Sequence, residues 1–195
     1  MSPRLAAAID LADASGKPVV IFIHGLWHKP NAWDRWAELF EAAGYATLAP
    51  RWPAEIGGAA APETIAQAAA YITGLNAALH RRPALIGHAF GGLVAQLLAS
   101  REQSVATVSI DPPPSRGDVA PPRSPLLIIA AERDHHALGV SVEPSRQAAS
   151  PIDYIDIPRR GLSPITDYGW HEVAQPSLRF IQRFQPPALS HDDRR

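Results

Sequence analysis

The sequence predicts an α/β protein built on a mostly parallel, doubly wound sheet of about six strands, with helices on both faces. Short apolar runs of strand length recur along the chain, and segments of helical periodicity separate them. Strands and helices that alternate in this way form parallel sheets with right-handed crossovers. The 195 residues, 46% of them hydrophobic, can bury one substantial core. We therefore expect one domain over residues 1–184 and a disordered, proline-broken tail at 185–195.

The first predicted strand is VVIFIH, Val19 to His24, which is β-branched and apolar on both faces. This pattern is typical of a strand buried inside a parallel sheet. Asn31 is placed to cap the following helix, and Gly44 ends it. The apolar stripe of that helix consists of Trp33, Trp36, Ala37, Phe40 and Ala43.

The later elements continue the alternation. The sequence predicts a second strand at 45–50, a helix at 62–80 that opens with Pro62, a third strand at 84–88, a helix at 90–100, strands at 105–111, 124–132 and 151–158, and a last helix at about 169–184. Prolines and a glycine make the stretch between Asp111 and Ser124 a loop. The alanine-rich AAAID near the N-terminus is most simply explained by helical alanine.

Composition and charge exclude several classes of function. Eighteen basic and nineteen acidic residues give a formal net charge of -1 without long runs of either sign, so neither nucleic-acid binding nor a basic membrane-binding face is indicated. The absence of cysteine excludes disulfides and thiolate metal sites. The N-terminal segment lacks a signal-peptide core, and no apolar run approaches the roughly 18 residues of a membrane span. We expect a cytoplasmic protein.

Four segments that follow predicted strands carry the candidate functional groups, because chemistry in a parallel sheet lies beyond the carboxyl ends of the strands. These segments are His24-Gly25-Leu26-Trp27, Gly87-His88-Ala89-Phe90-Gly91, Glu132-Arg133-Asp134-His135 and Arg160-Gly161-Leu162-Ser163. The second has the outline of a nucleophile elbow, a sharp strand-to-helix turn with small flanking residues. In this order the four segments resemble the α/β-hydrolase family over nearly the whole chain from Val19 to Phe184.

The resemblance implies a role for each matching position. Ala89 stands at the nucleophile apex, and the backbone N–H groups of Leu26 and Phe90 match the oxyanion donors. Asp134 matches the acid of the triad, and Leu162 stands where the base is expected. Alanine has no nucleophile and leucine cannot accept a proton, so two of the three triad positions lack catalytic side chains.

Other candidates for proton transfer and ligand contact lie near these segments. With Asp134, the candidates for proton transfer are His24, His28 and His135, and the candidates for substrate contact are Trp27, His88, Trp52 and Ser163. Four of them have a structural alternative: His24 would hold the oxyanion loop, His88 would pack beneath the apex, Trp52 would belong to the core, and Asp134 would be a loop carboxylate. His171 could replace the base, although a surface role is preferred. No ligand set with zinc spacing and no dinucleotide fingerprint is present, so we expect no metal and no cofactor.

The family's helical lid is replaced here by the short proline-rich loop after Asp111. We expect an open site that exposes Trp27, Trp52 and the prolines at 112–114, a surface that binds an apolar ligand or is covered by a second copy in a homodimer.

Three functional hypotheses follow. The first is an enzyme that acts without a covalent intermediate on a small, apolar, carbonyl-bearing molecule, by cyclisation, isomerisation, elimination or addition. The second is a serine esterase or lipase-like hydrolase inactivated at Ala89, with a base such as His171. The third is a non-catalytic pseudo-hydrolase that binds a ligand or a protein partner.

Overall fold

A six-stranded parallel sheet forms the centre of the protein. A computed structural model describes residues 2–26, 31–53, 61–114, 119–132, 150–160 and 163–187, with the backbone alone at 131–132 and 158–160. The strands are β1 (Val19–Ile23), β2 (Ala46–Leu48), β3 (Ala84–His88), β4 (Thr107–Ile110), β5 (Leu126–Glu132) and β6 (Ile152–Arg160). They lie in the order β2-β1-β3-β4-β5-β6, and each neighbouring pair is parallel. The predicted fold class is confirmed.

Helices cover both faces of the sheet. They are α1 (Pro3–Ala14), α2 (Asp34–Ala42), α3 (Ile65–Asn76), α4 (Phe90–Ser100) and α5 (Trp170–Phe184). Alternate β1 residues point to two separate cores: Phe22 packs with α2 and α5 on one face, and Ile21 packs with α1, α3 and α4 on the other. Trp33 and Trp36 are 2% and 0% exposed in the first core, which confirms their assignment to the core.

The beginnings of two helices differ from the prediction, and side-chain capping explains the start of α3. α3 begins at Ile65 and not at Pro62, since Thr64 and Gln67 form a capping box: the Gln67 N–H donates to Thr64 Oγ1 (3.1 Å) and the Thr64 N–H to Gln67 Oε1 (3.3 Å). The predicted cap of α2 at Asn31 is wrong. Trp33 is the N-cap, and its side chain makes no capping bond.

The alanine-rich segment near the N-terminus is part of helix α1. Ser2 caps it by accepting the Leu5 N–H (3.3 Å), and Pro3 takes the first helical position. Ile9 and Ala12 are its buried residues, and they pack in the core shared with α3 and α4. The helix thereby covers the end of the sheet where β2 is the edge strand.

The connection between β4 and β5 contains no helix in its described parts, 111–114 and 119–125. The described residues of this connection thus form no cap, in agreement with the prediction. No helix among the described residues is both long and apolar enough to cross a membrane.

Residues 185–187 contact the domain just after α5. The Tyr45 hydroxyl donates a hydrogen bond to the Gln185 carbonyl (2.6 Å), and Pro187 lies 3.0 Å from the position that a Cβ on Gly44 would take. The rest of the predicted tail, 188–195, lies outside the described residues.

Replacement of Tyr45 by phenylalanine tests this contact. Burial raises the pKa of Tyr45 from 10.0 to about 12, so the stability that this shift provides is complete below pH 10 and is lost as the pH rises towards 12. At pH 7 we expect Tyr45→Phe to lower the free energy of unfolding by about 1 kcal/mol, because the hydrogen bond to Gln185 is lost. The difference from the natural protein should narrow above pH 10. Urea titrations at pH 7, 10 and 11 measure it, and a constant difference would contradict the buried hydroxyl.

Candidate active site

Ala89 occupies a strained turn between β3 and α4. Its φ of 52° and ψ of -120° lie outside the conformations that a residue with a Cβ ordinarily adopts, at a cost of about 1–3 kcal/mol. Hydrogen bonds hold the turn: the Ala89 N–H donates to the Ile110 carbonyl (2.9 Å), and the Gly92 N–H donates to the Ala89 carbonyl (2.9 Å). The apex predicted from the sequence thus has the sharp geometry of a nucleophile elbow, with a methyl group at its tip.

Two glycines allow the turn to pack against the sheet. A Cβ added at Gly91 would lie 2.1 Å from the Ile23 carbonyl oxygen, and one added at Gly87 would lie 2.1 Å from the Gly91 carbonyl oxygen. Both contacts are with backbone atoms, which cannot rotate away. The start of α4 therefore rests directly on β1 and β3, at a separation that only glycine permits.

The first N–H groups of α4 have no acceptor in the part of the chain that the structure describes. Ala89 provides no side-chain cap to this helix, and within the described residues neither the Phe90 N–H nor the Gly91 N–H donates a hydrogen bond. The N-terminus of a helix carries partial positive charge, which favours a carbonyl or oxyanion oxygen.

Leu26, the second predicted oxyanion position, follows the neighbouring strand. The β1–β3 register pairs Ile23 with Gly87, so the segments after the two strands leave the sheet at the same level. Leu26 is 37% exposed. The structure therefore brings the two predicted oxyanion segments, Leu26 and Phe90, to the carboxyl ends of neighbouring strands.

His24 contacts the backbone of the loop to which it belongs. The ring is 6% exposed, and Nδ1 lies 2.7 Å from the Gly25 carbonyl oxygen. A carbonyl oxygen only accepts, so Nδ1 donates this hydrogen bond. This contact orients the loop between β1 and Leu26. His88 is 2% exposed at the end of β3, directly before the apex.

Trp52 is buried, and the expectation that it is exposed at the mouth of the site is wrong. Its side chain is 2% exposed. The indole packs against three rings, with centroid distances of 5.4 Å to His24, 6.0 Å to Tyr71 and 6.1 Å to Phe90. Trp52 thus supports the elbow from behind as part of the core, and we do not carry it into the proposed site.

Asp111 is a buried carboxylate beside the elbow that the sequence analysis did not single out. It directly follows β4, is 6% exposed, and has a φ of 42°. Its N–H donates to the Ile129 carbonyl (2.9 Å), while the preceding residue, Ile110, accepts the bond from Ala89. The signal was its position: an acidic residue at the carboxyl end of the strand next to the elbow strand.

The charge of Asp111 also reaches β6. The pKa of Tyr154 is raised by burial first, and then by the carboxylates of Asp156 and Asp111. The negative charge of Asp111 is therefore felt across β5, along the carboxyl side of the sheet.

Ser163 and His171 lie in the segment that leads into α5. Ser163 is half-buried, and its carbonyl accepts the N–H groups of Thr166 (2.9 Å) and Asp167 (3.0 Å). His171 is exposed, and its ring lies 3.7 Å from that of Trp170. The exposure of this ring favours the surface role over that of a replacement base.

The remaining predicted site residues lie outside the described residues. They are Trp27, His28, Asp134, His135 and Leu162. Their assigned roles stay predictions. Among the residues that the structure does describe, no group of three or more His, Asp or Glu side chains could hold a metal ion.

Comparisons with known proteins agree on the family. The model of the alpha/beta hydrolase family matches residues 20–194. No curated protein matches the chain in sequence. Three solved structures illustrate the similarity in fold: dienelactone hydrolase from Anabaena variabilis (21% identity, TM-score 0.66, 86% of this chain and 87% of that one), epoxide hydrolase A from Mycobacterium thermoresistibile (14%, 0.65, 90% and 93%), and a serine hydrolase without a lid from Xanthomonas campestris (16%, 0.61, 87% and 83%).

These identities are low, so the solved structures establish the fold and not the reaction. The family match covers the sheet from β1 onwards, the elbow and α5. The strained turn at Ala89 and the glycines that pack it lie where this fold presents its reactive group. The chain belongs to the alpha/beta hydrolase family.

Proposed function

We propose that the chain binds a small, largely apolar, carbonyl-bearing molecule at the elbow and acts on it without a covalent intermediate. One observation carries the proposal: Ala89 keeps the strained apex conformation, and beside it the N–H groups of Phe90 and Gly91 have no acceptor among the described residues. Donors fixed in this way stabilise a developing oxyanion whether or not a hydroxyl attacks.

The chemistry that fits is proton movement next to a polarised carbonyl. The N–H groups of Phe90 and Leu26 would hold the carbonyl oxygen, and the Ala89 methyl would contact the substrate without reacting. Withdrawal of electrons onto that oxygen acidifies the neighbouring carbon, which suits isomerisation, elimination, addition or cyclisation. These reactions need a proton acceptor but no nucleophilic side chain, since in an addition or a cyclisation the nucleophile is a second molecule or another group of the substrate.

We include Asp111 among the candidates for proton transfer because of its position. It is buried and lies one strand from the apex, whereas His24 is engaged with the Gly25 carbonyl. Asp134, His135 and His28 remain candidates from the sequence.

The experiment that tests the function is incubation with a panel of small ketones, enones, lactones and esters, followed by mass spectrometry in water labelled with heavy oxygen. We expect a product isomeric with its substrate, or altered by elimination or addition, without acyl transfer. An acid and an alcohol released from an ester, with label in the acid, would overturn the proposal.

Once a substrate is found, Asp111→Asn separates binding from turnover. The amide keeps the shape of the carboxylate but cannot accept a proton at neutral pH. We expect kcat to fall by about 100-fold or more, with substrate affinity changed by no more than about threefold, since binding rests on the N–H groups. Equal losses in kcat and affinity would assign Asp111 a structural role.

A second candidate, ligand binding without catalysis, is favoured by the packing of Trp52. The indole fills the space between His24 and Phe90 and so removes one surface that a substrate could have used. Saturable binding of a panel member that is recovered unchanged would support this alternative.

We also propose that two copies of the chain form a homodimer in which each covers the open site of the other, near the β4–β5 connection. The support is the connection between β4 and β5, which forms no helix in its described parts. Light scattering at micromolar concentration should give the mass of a dimer, and a monomer mass would refute the pairing.

A further inference from the structure

A cleft of about 330 Å³ opens beside the edge strand β2. It lies where the first turns of α1 and α2 meet the carboxyl end of β2. Its lining includes Arg4 and Leu5 from α1, Asp34 from α2, and Leu48, Pro50 and Arg51 at the end of β2. No residue of the elbow lines it. Its volume falls at the lower end of the range for small-molecule sites, about 300–1,000 Å³.

Two guanidinium groups without acidic partners dominate its charge. Arg4 and Arg51 are exposed, and within the described residues neither forms an ion pair or a side-chain hydrogen bond. Among the described residues that line the cleft, Asp34 alone is acidic. Glu41 lies close by, and its carboxylate accepts the Thr47 hydroxyl (2.5 Å). Arginine binds carboxylates and phosphates through paired N–H groups.

The apolar residues that line the cleft are here called its floor; Ser2 and Thr47 add polar groups to the lining. Leu48 is 5% exposed, Pro50 is buried and Leu5 is half-buried. Cationic side chains above an apolar floor are complementary to a molecule with an anionic end and a short hydrocarbon body. A purely inorganic anion would leave the floor uncovered, and an alcohol would leave both arginines without a counter-charge.

We propose that this cleft is a binding site for small amphiphilic anions, in which Arg4 and Arg51 hold a carboxylate or phosphate head and Leu48 contacts the apolar body. The site is distinct from the elbow. β1 lies between β2 and β3, so the two sites are roughly 10 Å apart at the spacing of neighbouring strands. The proposal needs neither Ala89 nor the N–H groups of α4, and it stands or falls independently of the proposed function.

Calorimetric titration with hexyl phosphate, hexanoate, inorganic phosphate and hexanol tests the site. We expect at least one of the two amphiphiles to bind saturably and more tightly than inorganic phosphate, and hexanol not to bind. Which amphiphile binds more tightly identifies the head group. Arg4→Ala and Arg51→Ala should each weaken the binding by about tenfold, and added salt should weaken it further.

Two variants serve as controls. Asp34→Asn removes the negative charge from the lining and should tighten binding by a few-fold. Arg101→Ala removes an exposed arginine at the C-cap of α4, at the opposite end of the sheet, and should leave binding unchanged. Amide shifts in the NMR spectrum should map to residues 2–8 and 47–51.

Three results would overturn the proposal. They are the absence of saturable binding by either amphiphile, an affinity that neither arginine variant changes, and amide shifts confined to the elbow at 86–92. All of the variants alter exposed side chains, and circular dichroism verifies that they fold.

Discussion

Gly91→Ala is expected to destabilise the protein by at least about 3 kcal/mol. The new methyl group would lie 2.1 Å from the Ile23 carbonyl oxygen and 2.9 Å from that of His24. Both atoms belong to the chain at the end of β1, so relief requires that α4 moves away from the sheet. That movement would open the core in which Val94 and Leu98 of α4 pack against the strands. For a protein of this size the melting temperature should fall by roughly 10 °C.

The matched control is the same substitution at Gly74. A Cβ there meets no atom within 4 Å, and the residue lies inside α3, where alanine is favoured over glycine by up to about 1 kcal/mol. Gly74→Ala should therefore raise the melting temperature slightly. Thermal unfolding followed by circular dichroism measures both variants. If Gly91→Ala melts within about 2 °C of the natural protein, α4 does not rest on β1 as described.

The alternating strands and helices of the fold could be predicted from the sequence. β1 and β3 are buried on both sides, and this gives the uninterrupted apolar runs from which a parallel sheet was predicted. The predicted bounds of α4 agree with the structure at both ends. The elbow marks the residue at which the helix begins, and its apolar residues continue without a break. The capping box at Thr64 and Gln67 is visible as a pattern in the sequence, and its use would have corrected the start of α3.

The candidate site could be predicted only in outline. Trp52 follows a strand of three residues, too short to reveal a face, and its burial depends on rings from three different segments. The importance of Asp111 depends on strand order, because only the pairing of β3 with β4 brings it beside Ala89. Neither contact can be predicted from the spacing of residues along the chain. In contrast, the sequence shows directly which residue types stand at the apex and at the predicted base position.

If Ala89 and Leu162 stand at the nucleophile and base positions, as the sequence predicts, a hydroxyl and an imidazole placed there are expected to create a serine hydrolase. Ala89→Ser places a hydroxyl at the apex, which already has the required backbone geometry, but position 162 still holds leucine and provides no base. Esterase activity of this single variant on a p-nitrophenyl ester should therefore be negligible. Ala89→Ser with Leu162→His should exceed it by about 10³-fold or more, since the nucleophile and the base act as a unit. Initial rates and labelling by a fluorophosphonate measure the gain.

The control is Leu162→His alone, which has a base but no nucleophile and should stay inactive. Asp134→Asn in the double variant should abolish most of the gain if Asp134 orients the new imidazole. Full activity of Ala89→Ser alone would mean that another histidine already serves the apex, and the protein would then be a hydrolase inactivated at one position. A double variant that is folded but remains inactive would mean that the segment around position 162 no longer approaches the elbow. In that case the proposed activity would rest on the N–H groups of α4 and a proton acceptor such as Asp111, without any contribution from position 162.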